Sequence, residues 1–536
     1  MFDLLITGGR VFDGTGNPWF KADVGVKQGR ITIIRGCPGL ISAKRVIQAA
    51  GSIVCPGFID MHAHSGLGRQ EKLSCDVTLT DGVTTELVGL DGISYAPLPD
   101  SGHVIALDNI SGGLNGACPA QVTWKSVSEY LNVLNTKSST NKGMIVGNAA
   151  LRLSILGWET RAPTSFELSH MKELLRQSMH EGALGLSSGL SFPPSRYAIW
   201  RELVELCRLV RERGGLYITH LRADRWSTPR AALREAIAIG ASTGVAIHIS
   251  HLHVGISEQA SSFLEIIDTA RARDIDVTFD ISDYPHTNGP LAALLPDWIL
   301  DKGPFEVIKR LKNRHYRERL FSDPVLRQRD FSRILVTGFA RLAHRGLEGA
   351  SLAAIAHAFG KSELETLCYL LAGEELRLRY VGLRESDFFS ELIQHPACVV
   401  STGGAPSKPQ SAHGRAGSNS RILGRIARDR TSINLAEVIR KMTSFPAQRL
   451  GFTERGLIRN GYQADLVVVD LGKARSLIPT PLCPEAFSGV QYVVIGGKLV
   501  VDQGQVSDVE AGSVIYGRGN HIGRAEQEKD TSLSLS

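Results

Sequence analysis

Hydrophobic and polar positions change their period twice along this 536-residue chain. Residues 1–52 carry short apolar runs separated by glycine, at 4–6, 24–26, 31–34 and 46–48. Residues 455–515 repeat the habit at 464–470 and 492–501. Such runs predict strands. Chain ends often lie close together, so the two ends are expected to pair into one small β domain, 1–56 plus 452–516. The polar stretch 517–536 is expected to be a flexible tail.

Between the ends, apolar runs alternate with helical periods. The runs fall at 53–60, 84–90, 144–148, 183–187, 216–219, 245–250, 276–279 and 398–401. In 198–211, Ile199, Leu203, Leu206 and Val210 recur at helical spacing. Residues 165–180 and 228–241 behave alike, and Thr164-Ser165-Phe166-Glu167 reads as a capping box. Eight strands with intervening helices predict an α/β chain whose residues 57–451 close into a (β/α)8 TIM-like barrel. A doubly wound open sheet is the alternative. A long, mostly helical insertion at about 290–395 separates the last two strands.

Composition narrows the class of protein. The chain is 43% hydrophobic and 21% charged, with a net charge of +6, which suits a globular protein. Lys and Arg form no long basic block, so a small-molecule substrate is expected rather than nucleic acid. The start, Met1-Phe2-Asp3-Leu4-Leu5-Ile6-Thr7-Gly8-Gly9-Arg10, lacks the pattern of a signal peptide. No stretch approaches 18 apolar residues, so no membrane span is expected. The 8 cysteines include no CxxC pair and read as reduced thiols of a cytoplasmic protein. Oligomeric state is left open.

Candidate chemistry follows from what stands after each predicted strand, because barrel active sites sit at the C-terminal mouth. His62 and His64 follow the first run, in Pro56-Gly57-Phe58-Ile59-Asp60-Met61-His62-Ala63-His64. Strand alternation puts residues i and i+2 on one face, so both rings can reach one ion. Asp91 follows the second run, His220 the fifth and His251 the sixth. Four imidazoles and a carboxylate at one end of a barrel make a metal constellation, suited to one or two Zn²⁺ ions. His248 lies within a run and reads as structural; His253 shares the parity of His251 and is a candidate substrate contact.

These residues stand in motifs that resemble the amidohydrolase superfamily, and within it the N-acyl-D-amino-acid deacylase (D-aminoacylase) family. The resemblance rests on the stretch from Val54 to His64 and on Gly82-Val83-Thr84-Thr85, Arg161-Ala162-Pro163-Thr164 and Gly185-Leu186-Ser187-Ser188-Gly189. Thr219-His220-Leu221-Arg222, Ile249-Ser250-His251-Leu252, Asp283-Tyr284-Pro285-His286 and Lys441-Met442-Thr443-Ser444-Phe445-Pro446-Ala447 extend it over nearly the whole chain. It implies a metal-dependent hydrolase of the amide bond in an N-acyl amino acid-like molecule. It implies tight-site ligands at His220 and His251 and a second, weaker site at His62 and His64. Where the family commonly has cysteine, this chain has Asp91, a harder donor that admits Mn²⁺ or Fe²⁺ as well as zinc. By family position Arg222, Tyr284 and Arg421 are substrate contacts, an arginine suiting a carboxylate. A structural ion pair is the alternative for each arginine. Hydantoinase-type relatives bridge two metals with a carboxylated lysine. No lysine occurs here between Lys172 and Lys302, which argues against that branch.

One departure bears on the reaction. The family's catalytic aspartate follows the eighth strand, where this chain reads Val399-Val400-Ser401-Thr402-Gly403-Gly404. Thr402 occupies the aspartate position, and its hydroxyl cannot serve as a base near neutral pH. Asp280, His64, His253 and His286 are substitutes for the base. Lyase, cyclase or amide-forming chemistry on the same scaffold is a second reading, and a silent metal or ligand binder a third. Phe192, where the family often has tyrosine, and the loop Gly403-Gly404-Ala405-Pro406-Ser407-Lys408-Pro409 complete the expected mouth.

Overall fold

The computed structural model describes residues 1–36, 41–65, 72–115, 122–222, 228–252, 259–283, 286–383, 388–402, 418–428, 433–474 and 489–520. His253, Tyr284, the loop from Gly403 to Pro409 and most of the predicted tail lie outside them, as does the side chain of His286.

Each of the eight predicted runs overlaps a barrel strand. These are β1 (Phe58–Asp60), β2 (Val83–Val88), β3 (Asn141–Met144, resumed at Val146–Gly147), β4 (Gly185–Gly189), β5 (Leu216–His220), β6 (Ala246–Ile249), β7 (Val277–Ile281) and β8 (Cys398–Val400). All neighbouring pairs from β1 to β8 in this series are parallel. The barrel, rather than the open sheet, is therefore formed. Between β8 and β1 the joint is made by a side chain: the Thr402 N–H donates to Asp60 Oδ1 at 3.2 Å. Successive residues face opposite sides of a strand, so Phe279, Val277 and Ile247 pack outward with the helices, while Ile59, Leu87, Ile218 and Val399 cluster together inside. Fully burying one such side chain stabilises the fold by about 1.5–3 kcal/mol.

The first predicted run divides at Gly57. Ile53–Pro56 pairs antiparallel with Leu466–Val469 in a seven-stranded sheet built from both chain ends, and only Phe58–Asp60 enters the barrel. The crossing needs glycine, since a Cβ at residue 57 would sit 2.1 Å from Thr84 Oγ1. A second terminal sheet has the order Arg30–Ile34, Asp23–Lys27, Phe2–Thr7, Ala43–Gln48. One strand expected with the small domain goes elsewhere: Val514–Ile515 pairs with Lys142 and Gly143 on the barrel wall. The expected helices form at Ser165–His180, Trp200–Glu212 and Pro229–Thr243, the first with its Thr164/Glu167 capping box.

The insertion leaves the barrel just after β7. It has a core of its own, including Leu291, Ile299, Val307, Leu311 and Leu371. Beyond the expected helices it contains a small antiparallel sheet of His286–Pro290, Arg379–Leu383 and Ile334–Thr337. It docks beside the barrel mouth through Trp158, over which Gly303 packs, and through the Arg196–Asp297 ion pair at 2.6 Å. Among the described residues no helix is long and apolar enough to cross a membrane.

Candidate metal centre

The five side chains expected at the strand ends meet around one carboxylate. Asp91 is 4% exposed and turns its two oxygens to different histidine pairs. Oδ2 lies 3.3 Å from His64 Nε2 and 3.6 Å from His62 Nε2. Oδ1 lies 3.8 Å from both His220 Nδ1 and His251 Nε2, which are 3.0 Å from each other. Two ligand triads share Asp91: His62–His64–Asp91 and Asp91–His220–His251, each with donor atoms within 4.8 Å of one another.

Local backbone geometry is bent to make this meeting. Asp91 has φ 53° and His251 φ 31°, both in the left-handed region that side chains avoid. Such residues cost roughly 1–3 kcal/mol each and persist where surrounding structure imposes them. At Asp91 the constraint is visible. The turn Gly89-Leu90-Asp91-Gly92 is held by Ser187 on β4, whose hydroxyl donates to the Gly89 carbonyl and accepts from the Gly92 N–H at 3.2 Å. Gly89 approaches so closely that a Cβ there would stand 2.0 Å from the Ile145 carbonyl oxygen.

The second nitrogen of His64 and of His220 is held from behind by a hydrogen bond, and that of His62 faces a carboxylate. His62 Nδ1 lies 3.8 Å from Asp280 Oδ2. His64 Nδ1 lies 2.9 Å from Asn115 Oδ1. His220 Nε2 lies 3.2 Å from Ser191 Oγ, and the Phe192 ring packs on the His220 ring at 4.7 Å. Outer partners of this kind orient metal-binding imidazoles.

Electrostatics favour a cation here. Burial opposes charge on His62, but Asp91 and Asp280 outweigh it and push its pKa up to about 10. A field that holds a proton so firmly also attracts a divalent ion. Burial, with the neighbouring histidines, lowers His220 to about 3, so its ring is neutral with a lone pair to give. Burial would raise Asp91, yet the surrounding imidazoles hold its carboxyl well below the usual range. Asp91 Oδ1 is buried without a hydrogen-bond partner, a costly state unless a cation completes it. Donor set, burial and this unsatisfied oxygen fit a divalent metal.

The other expected site residues are distributed unevenly. Asp280 is fully buried behind His62, not at the open face. Its Oδ1 accepts from the His251 N–H at 3.0 Å and the Ser401 hydroxyl at 2.6 Å; its Oδ2 is 3.0 Å from His248 Nε2. His248, read as structural, thus supports the carboxylate that supports His62. The Thr402 hydroxyl donates to Asp60 Oδ2. Arg222 takes the structural alternative. Its Nε is 3.0 Å from Glu235 Oε2, and its Nη atoms donate to the Arg196 and Ala198 carbonyls, so its fork is occupied by protein. Arg421, on the helix Ser418–Arg428, donates to the Asp283 carbonyl at 3.0 Å beyond the end of β7. Asn115, Ser187, Ser191 and Asp60 were not singled out. Asp60 had a visible signal in its place two residues before His62, and Ser187 in the motif Gly185-Leu186-Ser187-Ser188-Gly189; Asn115 and Ser191 had none, because only the fold brings them near.

Comparison with known proteins agrees with this geometry. The amidohydrolase family model matches residues 340–501. The N-acyl-D-glutamate deacylase of Alcaligenes xylosoxydans xylosoxydans is 30% identical over 94% of this chain and 94% of its own length. The D-aminoacylase of the same organism is 29% identical over 96% and 97%. Among solved structures, the N-acyl-D-glutamate deacylase of Bordetella bronchiseptica, complexed with zinc and a phosphonate mimic of the tetrahedral intermediate, superposes with a TM-score of 0.78 at 29% identity. It covers 96% of this chain and all of that one. A D-aminoacylase structure superposes with 0.79 at 28% identity, over the same shares. The chain therefore belongs to the amidohydrolase family, in its branch of N-acyl-D-amino-acid deacylases.

Proposed function

We propose that this chain is a metal-dependent hydrolase of the amide C–N bond in N-acyl amino acids. The observation that carries the reading is the buried Asp91 carboxylate facing two histidine pairs through different oxygens. Full-length similarity to three N-acyl-D-amino acid deacylases supports the substrate class. His220 Nδ1, His251 Nε2 and Asp91 Oδ1 would hold the first ion, and His62 and His64 with Asp91 Oδ2 a second. Zinc, or another divalent ion in its place, supplies Lewis-acid polarisation of the amide carbonyl and makes water nucleophilic at neutral pH.

The chain's own residues do the rest. Asp280 holds His62 and the His251 backbone in place. Where no second ion binds, His64 Nε2 is the atom that carries a proton from the Asp91 side to the leaving amine nitrogen. Arg421 is the arginine assigned to the substrate carboxylate, with His253 and Tyr284 as further contacts. Cys55, Cys207, Cys368 and Cys398 are buried free thiols, which supports a reducing, cytoplasmic setting.

A second reading has one observation in its favour. Thr402 donates its proton to Asp60 and so offers no basic atom to the mouth. Chemistry that uses a Lewis acid without activated water, as in a lyase or an amide-forming enzyme, would not need one. Amine release from a panel of N-acyl-D-amino acids, with zinc added and bound zinc counted, separates the two. Turnover supports hydrolysis; one bound equivalent with no amine released sinks it.

A further inference from the structure

We propose that Asn115 is a positioning residue that aims His64 at a second cation on the far side of Asp91. The inference rests on the hydrolase reading above for the presence of the metal.

The geometry is specific. Asn115 is 8% exposed and His64 3%. Asn115 follows the helix Ser101–Ile110 and a turn through Gly112 and Gly113, so 51 residues separate it from the histidine it meets. Its Oδ1 stands 2.9 Å from His64 Nδ1. An amide oxygen can only accept, so Nδ1 carries a hydrogen and Nε2 is the atom turned to the Asp91 side, 3.3 Å from Oδ2. The neighbouring His62 instead faces a carboxylate across a gap, its Nδ1 3.8 Å from Asp280 Oδ2 with no hydrogen bond between them. A carboxylate partner makes a histidine a stronger ligand than a neutral amide does. His64 is thus aimed at the Asp91 side by a neutral amide, where a carboxylate in the same place would make it a stronger ligand.

The substitution Asn115→Asp changes charge with almost no change in shape, and Asn115→Leu removes the acceptor while keeping the bulk. Full-length protein is stripped with a chelator and titrated with Zn²⁺ by calorimetry. A parallel titration with Mn²⁺ is followed by electron paramagnetic resonance, where two coupled ions are distinguished from one. Wild type is expected to bind one ion tightly and a second more weakly. Asn115→Asp is expected to tighten the second step on the order of 10–100-fold and to produce the coupled spectrum at lower Mn²⁺. Asn115→Leu is expected to abolish the second step and leave the first within a few-fold. If both variants shift both steps equally, or neither shifts the second, the proposal is overturned. Failure of the hydrolase reading looks different: ions bind in these steps, yet no variant releases amine. If wild type binds no ion at all, both fall together.

Discussion

Thr402 and Asp60 tie the last barrel strand to the first: the Thr402 N–H donates to Asp60 Oδ1 at 3.2 Å and its hydroxyl to Asp60 Oδ2, while the same Oδ1 accepts the His62 N–H at 2.9 Å. Thr402 is a clasp on the strand that presents the histidines. Asp60 is 4% exposed, and burial raises its pKa despite these donors. Thr402→Val removes one donor from a buried acceptor and is expected to destabilise the protein by about 1–3 kcal/mol. Thr402→Ser keeps the hydroxyl and is expected to recover most of that loss. Denaturant melts of both variants check this; equal stability of the Val variant and wild type would show that the clasp contributes nothing.

Ser187 acts on the metal centre without touching it. It fastens the turn that forces Asp91 to φ 53°. Ser187→Ala is expected to weaken zinc binding about 10–100-fold, as loss of an outer partner does elsewhere. Competition with a coloured chelator measures this. An unchanged affinity would mean that the strained turn holds itself.

Asp81 gives a pH dependence far from the metal. It accepts the Asn419 and Ser420 N–H groups at 2.9 and 3.0 Å, at the start of the helix Ser418–Arg428. Burial outweighs those donors and raises its pKa from the ordinary 3.8 to about 6. The folded state therefore holds a proton that the unfolded state releases between these values. Its contribution to stability is present below pH 3.8 and is lost as pH rises to about 6. The shift corresponds to ~3 kcal/mol. Asp81→Asn is expected to flatten stability against pH across that window, read from melts in a pH series. An unaltered slope would assign the dependence to other groups.

Much of this was legible before the fold was known, for reasons that differ by residue. Barrel strands are buried on both faces, so their apolar runs stand out and the residues after them, His62, Asp91, His220 and His251, could be named. The small β domain was legible because its strands alternate with glycine turns. Gly57 was not, since its close approach to Thr84 is a matter of packing. The ion pair of Arg222 was not legible, because its partner Glu235 stands within the helix Pro229–Thr243 and only the fold brings the two to 3.0 Å. Asn115 and Ser191 had no signal, because a lone polar residue in a loop looks like any other until the chain brings it against a histidine.

Asp91 is the ligand both triads share, so its loss should be the most complete. Asp91→Ala is expected to lower bound zinc from one or more equivalents to near zero, whereas His64→Ala retains one. Metal analysis after dialysis decides it, with circular dichroism to show that both variants fold. Equal retention in both would mean that the carboxylate is not the hub.

The most direct measurement is anomalous diffraction at the zinc edge from crystals of the zinc-loaded protein. The account predicts a peak within about 2.0–2.3 Å of Asp91 Oδ1, His220 Nδ1 and His251 Nε2. No peak there, or zinc held by other residues, would contradict it.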